Sequence, residues 1–182
     1  MRKGKRQPVK SGKVGKVSPK AVEADEGVSR LLSKPSRRAL DRFVLQEVGS
    51  HLLRRAHFAA EEDFAKEFAA EAITPRQKAA LVAVYQQAGI NQNELAAQLF
   101  MDRNTVAEMV SRLTARALVK RMQAANDRRA YRLYLAPEGA KLLDRVILRD
   151  AKVEKSIFAR VPRKDRAALM RCLRILAGAH RD

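Results

Sequence analysis

From Arg38 onward the apolar residues recur every third or fourth position, the rhythm of helices with one buried face. Leu40, Val44, Val48, Leu52 and Ala59 fall on one such stripe, so Arg38 to about Ala70 reads as one long helix or two abutting ones. The stretch "ITPRQKAALVAVY" opens a second helix: Thr74 is a good N-cap, Pro75 suits the first helical position, and Gln77 completes a capping box. "NQNELAAQL" opens a third in the same way, with Asn91 as cap and Glu94 reaching back. Asp102 caps a fourth, "RNTVAEMVSRLTA".

The period then changes. In "AANDRRAYRLYL" the apolar Tyr131, Leu133 and Leu135 alternate with Ala130, Arg132 and Tyr134, the two-residue period of a strand. With Val119 to Met122 as its partner, this predicts a hairpin whose tip carries Asn126, Asp127, Arg128 and Arg129. Pro137 opens a long helix to about Arg160, Pro162 breaks it, and Arg163 to Ala179 forms a last helix with Leu169, Cys172, Leu173 and Leu176 on one face. The expected fold is mainly α: four helices, a two-stranded β-wing, then two helices.

Only Leu99, Phe100 and Met101 separate the third and fourth helices, which suggests a helix-turn-helix. In the fourth, Val106, Val110 and Leu113 form the inward stripe with Met109 beside it. Arg103, Asn104, Ala107, Glu108 and Ser111 lie on the opposite arc, and Thr105 and Arg112 complete the candidate DNA-contacting set. Short or polar side chains in the first turns of such a helix are what the major groove admits, where Arg reads guanine and Asn reads adenine. A polar solvent face is the alternative. The hairpin that follows favours a winged helix-turn-helix, with Arg128 and Arg129 at the wing tip.

Charge points the same way. The chain of 182 residues has 38 Lys+Arg against 20 Asp+Glu, a formal net charge of +18, which suggests a polyanionic partner, nucleic acid or an anionic membrane surface. Met1 to Lys20 holds eight basic and no acidic residues, so residues 1–35 read as a basic, disordered extension, with residues 36–182 as the folded domain. No apolar run is long enough to span a bilayer and no secretory signal is present, so a cytoplasmic protein is expected. No cofactor is called for. Cys172 is the single cysteine, and His57 with Glu61 lacks a third metal ligand. No nucleophile–base pair, carboxylate dyad or phosphate loop argues for an enzyme.

"ITPRQKAAL", "NQNELAAQL", "DRNTVAEMVSRLTARALVKR" and "NDRRAYRLYLAPEGAKLL" together resemble the MarR family of bacterial winged-helix regulators, over roughly Asp41 to Ala179. The resemblance implies a symmetric dimer on a pseudo-palindromic operator. Its dimerisation helices would lie in residues 36–71 and 137–180, and its winged helix-turn-helix in residues 74–135. It places Asp127 and Arg129 at the family's Asp-x-Arg wing motif. Three positions depart from the pattern: Phe100 and Ala117 stand where glycine is usual, and Ala136 where Thr or Ser would cap the next helix. The cysteine of the family's redox-sensing branch has no counterpart near the first helix, and Cys172 belongs to an apolar stripe of core or dimer interface.

His51 and Arg55, four apart on the first helix, point toward the Val48/Leu52 stripe, where a cation needs an anionic partner. One partner is a small anionic effector, in line with relatives that bind anionic aromatics. The other is a carboxylate such as Asp41 or Glu47. The expected function is therefore a transcriptional regulator, a repressor released by a small anionic ligand of the aromatic-carboxylate kind. The alternative is a general nucleic-acid-binding protein with no ligand response.

Overall fold

A computed structural model describes residues 31–124 and 127–178, without the side chains of 124–130. By its internal contacts the chain divides into two compact units, Met1–His51 and Leu52–Asp182.

In the first unit, α1 (Lys34–Asp41) starts at Ser33, whose hydroxyl accepts the Ser36 N–H at 3.3 Å, and a 3₁₀ turn follows at Leu45–Glu47. Helix α2 (Gly49–Glu67) begins here and runs on into the second unit. Of the two forms expected from Arg38 onward, one long helix or two abutting ones, the chain takes the second, with the break between Arg42 and Val48. Val44 (φ −103, ψ 97) and Val48 (φ −74, ψ 119) are extended, a conformation that β-branched side chains favour, and Gly49 follows. The stripe of Leu40, Val44, Val48 and Leu52 is therefore not one face of one helix. Leu40, Phe43, Val44 and Leu45 are all exposed.

The second unit follows the expected order: α3 (Pro75–Gln86), α4 (Gln92–Leu99), α5 (Arg103–Ala115), β1 (Val119–Ala124), β2 (Asp127–Leu135), α6 (Pro137–Ala159) and α7 (Arg166–Leu176). The last helix starts later than expected because a 3₁₀ turn occupies Arg163–Asp165. Phe68, Leu81, Val84, Ile90, Leu95, Val106, Val110, Leu113, Leu133 and Val146 are the largest of its fully buried side chains among the described residues, so α3, α4, α5, β2 and α6 share one core.

Polar side chains set the helix starts. Thr74 accepts the Gln77 N–H at 3.2 Å while Gln77 accepts the Thr74 N–H at 3.2 Å. Asn91 and Glu94 repeat this reciprocal pair at 2.9 and 2.8 Å. Asp102 accepts the Thr105 N–H at 2.8 Å. Ala136 offers α6 no side-chain cap, and Pro137 suits the first position, where a backbone N–H would have no partner within the helix.

Two packing features position the wing. Gly139 lies so close to the start of β1 that a Cβ there would stand 2.0 Å from the Leu118 carbonyl oxygen. Ile90 bridges Leu133, with the Leu133 N–H donating to the Ile90 carbonyl and the Gly89 N–H to the Leu133 carbonyl, both at 2.9 Å. The antiparallel hairpin, whose register pairs Val119 with Leu135 and Arg121 with Leu133, is thereby tied to the helix-turn-helix.

Candidate nucleic-acid interface

The turn between α4 and α5 closes through Phe100, which ends α4 in the left-handed region at φ 51 and is 86% exposed. The Met101 N–H donates to the Ala96 carbonyl at 3.0 Å and the Phe100 N–H to Ala97 at 3.2 Å, satisfying the last turn of α4. Ala117, the second position where the resemblance implies glycine, is also left-handed, at φ 54. Neither residue is β-branched, but each has a Cβ that this conformation disfavours.

Val106, Met109, Val110 and Leu113 of α5 are buried, and Arg103, Asn104, Glu108, Ser111 and Arg112 are exposed, with Ala107 half-buried beside them. Asn104, Glu108 and Ser111 recur one turn apart along the side opposite the core. Glu108 and Arg112 approach to 3.6 Å. Thr105 is drawn to the helix start, its hydroxyl donating to Asp102 at 2.5 Å. That bond, followed by the Thr105 N–H, holds the Asp102 carboxyl below its ordinary value. Thr105 is thus occupied at the start of the helix, unlike its exposed neighbours.

Asp127, Arg128 and Arg129 lie on β2, but their side chains fall outside the described residues, as does the wing tip at 125–126. The wing presents further cations that the sequence pattern did not single out: Lys120 and Arg121 are exposed on β1, with the Arg121 guanidinium 5.8 Å from the Tyr131 ring centre. Arg76, in the first turn of α3, shares with Arg112, Glu108 and Glu61 a cleft of about 310 Å³ beside α5. No local pattern signals Arg76, because only the fold brings it to Arg112. Two other arginines are structural. Arg116 donates to the Ala72 and Glu71 carbonyls at 2.8 and 3.2 Å, and Arg132 donates to the Gly89 carbonyl at 3.2 Å.

His51 is half-buried and Arg55 exposed, one turn apart on α2. The Leu52 flank that they were expected to share with a buried stripe is itself exposed. A second pocket, of about 390 Å³, has walls from α3, β2 and α6: Val82, Tyr85, Leu135, Leu143 and Ile147, with Asp144 at its edge. Ion pairs join α6 and the residue after it to α2, to α3 and to the turn after α2. Arg149 reaches Glu67 at 3.0 Å and Glu71 at 2.5 Å, Lys152 reaches Glu67 at 2.7 Å, Arg160 reaches Asp63 at 2.7 Å, and Lys78 pairs with Asp150. The Arg160 hydrogen bond lowers the Asp63 pKa, and Lys152 followed by Arg149 lowers that of Glu67. His57 and Glu61 approach to 3.4 Å, but among the described residues no group of three or more possible ligands could hold a metal. Nor is any described helix long and apolar enough to cross a membrane.

A helix-turn-helix with an exposed polar face on its second helix, followed at once by a cationic two-stranded wing, defines a winged-helix DNA-binding protein. The chain belongs to the MarR family, whose model matches residues 73–131. It is 30% identical over 131 residues to a transcriptional regulatory protein assigned to the hcr operon of Thauera aromatica, covering 71% of this chain and 78% of that protein. Among solved structures it is similar to BpsR of Bordetella bronchiseptica, whose DNA binding is regulated by 6-hydroxynicotinic acid. The TM-score there is 0.70 at 25% identity, over 76% of this chain and 99% of BpsR. It is also similar to the PcaV regulator of Streptomyces coelicolor, solved with its natural ligand, with a TM-score of 0.66 at 28% identity over 75% and 96% of the two chains. The protein is accordingly a DNA-binding transcriptional regulator and not an enzyme, in a family where homodimers are typical.

Proposed function

We propose that this protein is a repressor that binds a pseudo-palindromic operator as a homodimer and leaves it when a small anionic ligand, of the aromatic-carboxylate kind, binds. The observation that carries the DNA half is the division of α5 into a buried apolar side and an exposed side bearing Asn104, Glu108 and Ser111. Arg103, Ala107 and Arg112 flank that side, and Asp127, Arg128 and Arg129 belong to the wing that follows. Dimerisation is assigned to residues 36–71 and 137–180, which carry exposed apolar side chains: Leu52, Leu53, Phe58, Leu148, Ile175 and Leu176.

The ligand half is supported by BpsR, whose regulator 6-hydroxynicotinic acid is an aromatic carboxylic acid. In this chain the cations assigned to the ligand's charge are His51 and Arg55. The apolar pocket of α3 and α6 has the size for a single ring, about 390 Å³, but brings a carboxylate, Asp144, and no cation.

The test is a binding panel on DNA from upstream of the neighbouring genes. Arg129→Ala should cost about 1–3 kcal/mol of operator affinity, with Asp127→Ala reproducing part of the loss. Arg128→Ala should weaken binding equally on all sequences, as removal of a single phosphate partner does. Asn104→Ala should change base preference inside each half-site. Deleting Met1 to Lys20, which lies outside the described residues, should flatten the salt dependence by roughly 0.9 for each phosphate that the tail neutralises, and leave discrimination intact. Aromatic carboxylates should release wild type, their amides should not, and Arg55→Ala should bind operator normally without responding. Equal affinity for operator and random duplex would instead favour a general nucleic-acid binder, and release of Arg55→Ala at wild-type ligand concentration would remove that residue from the effector site.

A further inference from the structure

Glu108 is placed where a carboxylate opposes the rest of the molecule. The chain carries +18, yet this acid stands 73% exposed in the middle of the outward face of α5, one turn from Asn104 and one turn before Arg112. The other carboxylate at this end of the helix, Asp102, is engaged by the Thr105 amide and hydroxyl. An exposed Glu–Arg pair one turn apart adds little to a helix. Against phosphates the carboxylate lowers affinity for every duplex, unless a donor in the groove meets it.

Base-edge chemistry limits what that donor is. In the major groove the amino groups are cytosine N4 and adenine N6. Beside adenine N6 lies N7, an acceptor that repels a carboxylate, whereas cytosine presents its amino group with no acceptor next to it. Across the pair, guanine offers O6 and N7, both acceptors suited to a guanidinium. Arg112 lies 3.6 Å from Glu108, so one acceptor and one donor fork are held side by side on the helix. The edge of a C·G pair presents the complementary donor and acceptors.

We infer that Glu108 and Arg112 together read one C·G base pair in each half-site, Glu108 accepting from cytosine N4 and Arg112 donating to guanine. Glu108 is then the specificity-determining residue of the helix: it weakens binding to all other sequences. This rests on α5 being the DNA-reading helix, as proposed above.

The experiment is selection from duplexes with about 20 randomised base pairs, followed by sequencing, for wild type, Glu108→Gln, Glu108→Ala and Arg112→Ala. Wild type should select a motif with a C·G pair at two symmetric positions, where any other pair costs roughly tenfold. Glu108→Gln should move that position toward A·T, because Gln pairs with adenine N6 and N7. Glu108→Ala should lose preference there and bind random duplex more tightly than wild type. Arg112→Ala should flatten the same position. Because both side chains are exposed, thermal melting should stay unchanged, which separates a reading role from a helix-stabilising one. A wild-type motif that persists at every position in both Glu108 variants overturns the inference while leaving DNA reading by the protein intact. A wild type that selects no motif overturns both.

Discussion

In α5, Val106, Met109, Val110 and Leu113 are buried, whereas in α7 Ile175 and Leu176 are 64% and 69% exposed and Cys172 is exposed too. The two helices have similar apolar spacing, yet α5 is enclosed by its own chain and α7 only in part, with Leu169 and Leu173 half-buried. The same holds for α2, where Phe64 is buried with its ring 4.6 Å from that of Phe68 just beyond the helix end, while Leu52, Leu53 and Phe58 are exposed. An apolar stripe says that a face will be covered and leaves open which chain covers it. For Cys172, this removes the core of its own chain from the two expectations held for it.

The largest test of this contrast compares one residue from each helix. Leu113→Ala should cost about 2–5 kcal/mol in urea unfolding, as a fully buried leucine does. Leu176→Ala should change the stability of the chain itself by less than about 0.5 kcal/mol, but shift light scattering from dimer toward monomer on dilution. Equal losses of stability at constant mass would erase the distinction.

Gly139→Ala comes next. The added Cβ would meet the Leu118 carbonyl oxygen at 2.0 Å, and backbone cannot yield as a side-chain end can. A loss of about 1–3 kcal/mol or more is expected, with weaker DNA binding because α6 and β1 are forced apart. An unchanged melting temperature would show that the approach of α6 to β1 is slack.

A third test uses acid. The Asp63 and Glu67 carboxyls are held below their ordinary values by Arg160 and by Lys152 with Arg149. A depressed folded pKa gives stability that is present above the ordinary carboxylate value and is lost as pH falls through the folded one. Melting temperature should therefore fall below about pH 4.5, and less steeply in Asp63→Asn, which lacks that contribution at every pH. Identical acid slopes would mean that these surface pairs add nothing.

The smallest effect is a gain. Phe100→Gly and Ala117→Gly should each stabilise the protein by up to about 1 kcal/mol, since φ is 51 and 54 at these positions, less the entropy glycine adds to the unfolded chain. Destabilisation by either would show that its side chain packs well enough to outweigh the strain.

Local chemistry was legible where it is complete within a few residues. The capping pairs Thr74/Gln77 and Asn91/Glu94, the Asp102 cap, the Pro137 start and the alternating β2 could all be read because donor and acceptor lie within one helical turn or one strand. Whether the first helix is one or two could not be read. Apolar spacing fitted both, and the extended backbone at Val44 and Val48 decided for two. The candidate site divides in the same way. The exposed face of α5 followed from periodicity, while Arg76 beside Arg112 and the engagement of Thr105 by Asp102 depended on geometry.

The sequence by itself determined the helix starts, the hairpin, the inward stripe of α5 and the excess of positive charge, because caps, period and charge are local or additive properties. Only the tertiary structure decided that Ile90 joins Leu133, that Gly139 must lack a side chain beside Leu118, that Arg116 and Arg132 serve backbone carbonyls, and that Lys120, Arg121 and Arg76 stand out in the solvent. These depend on which atoms meet across many tens of residues, and in a densely packed interior that is set by all the elements closing together.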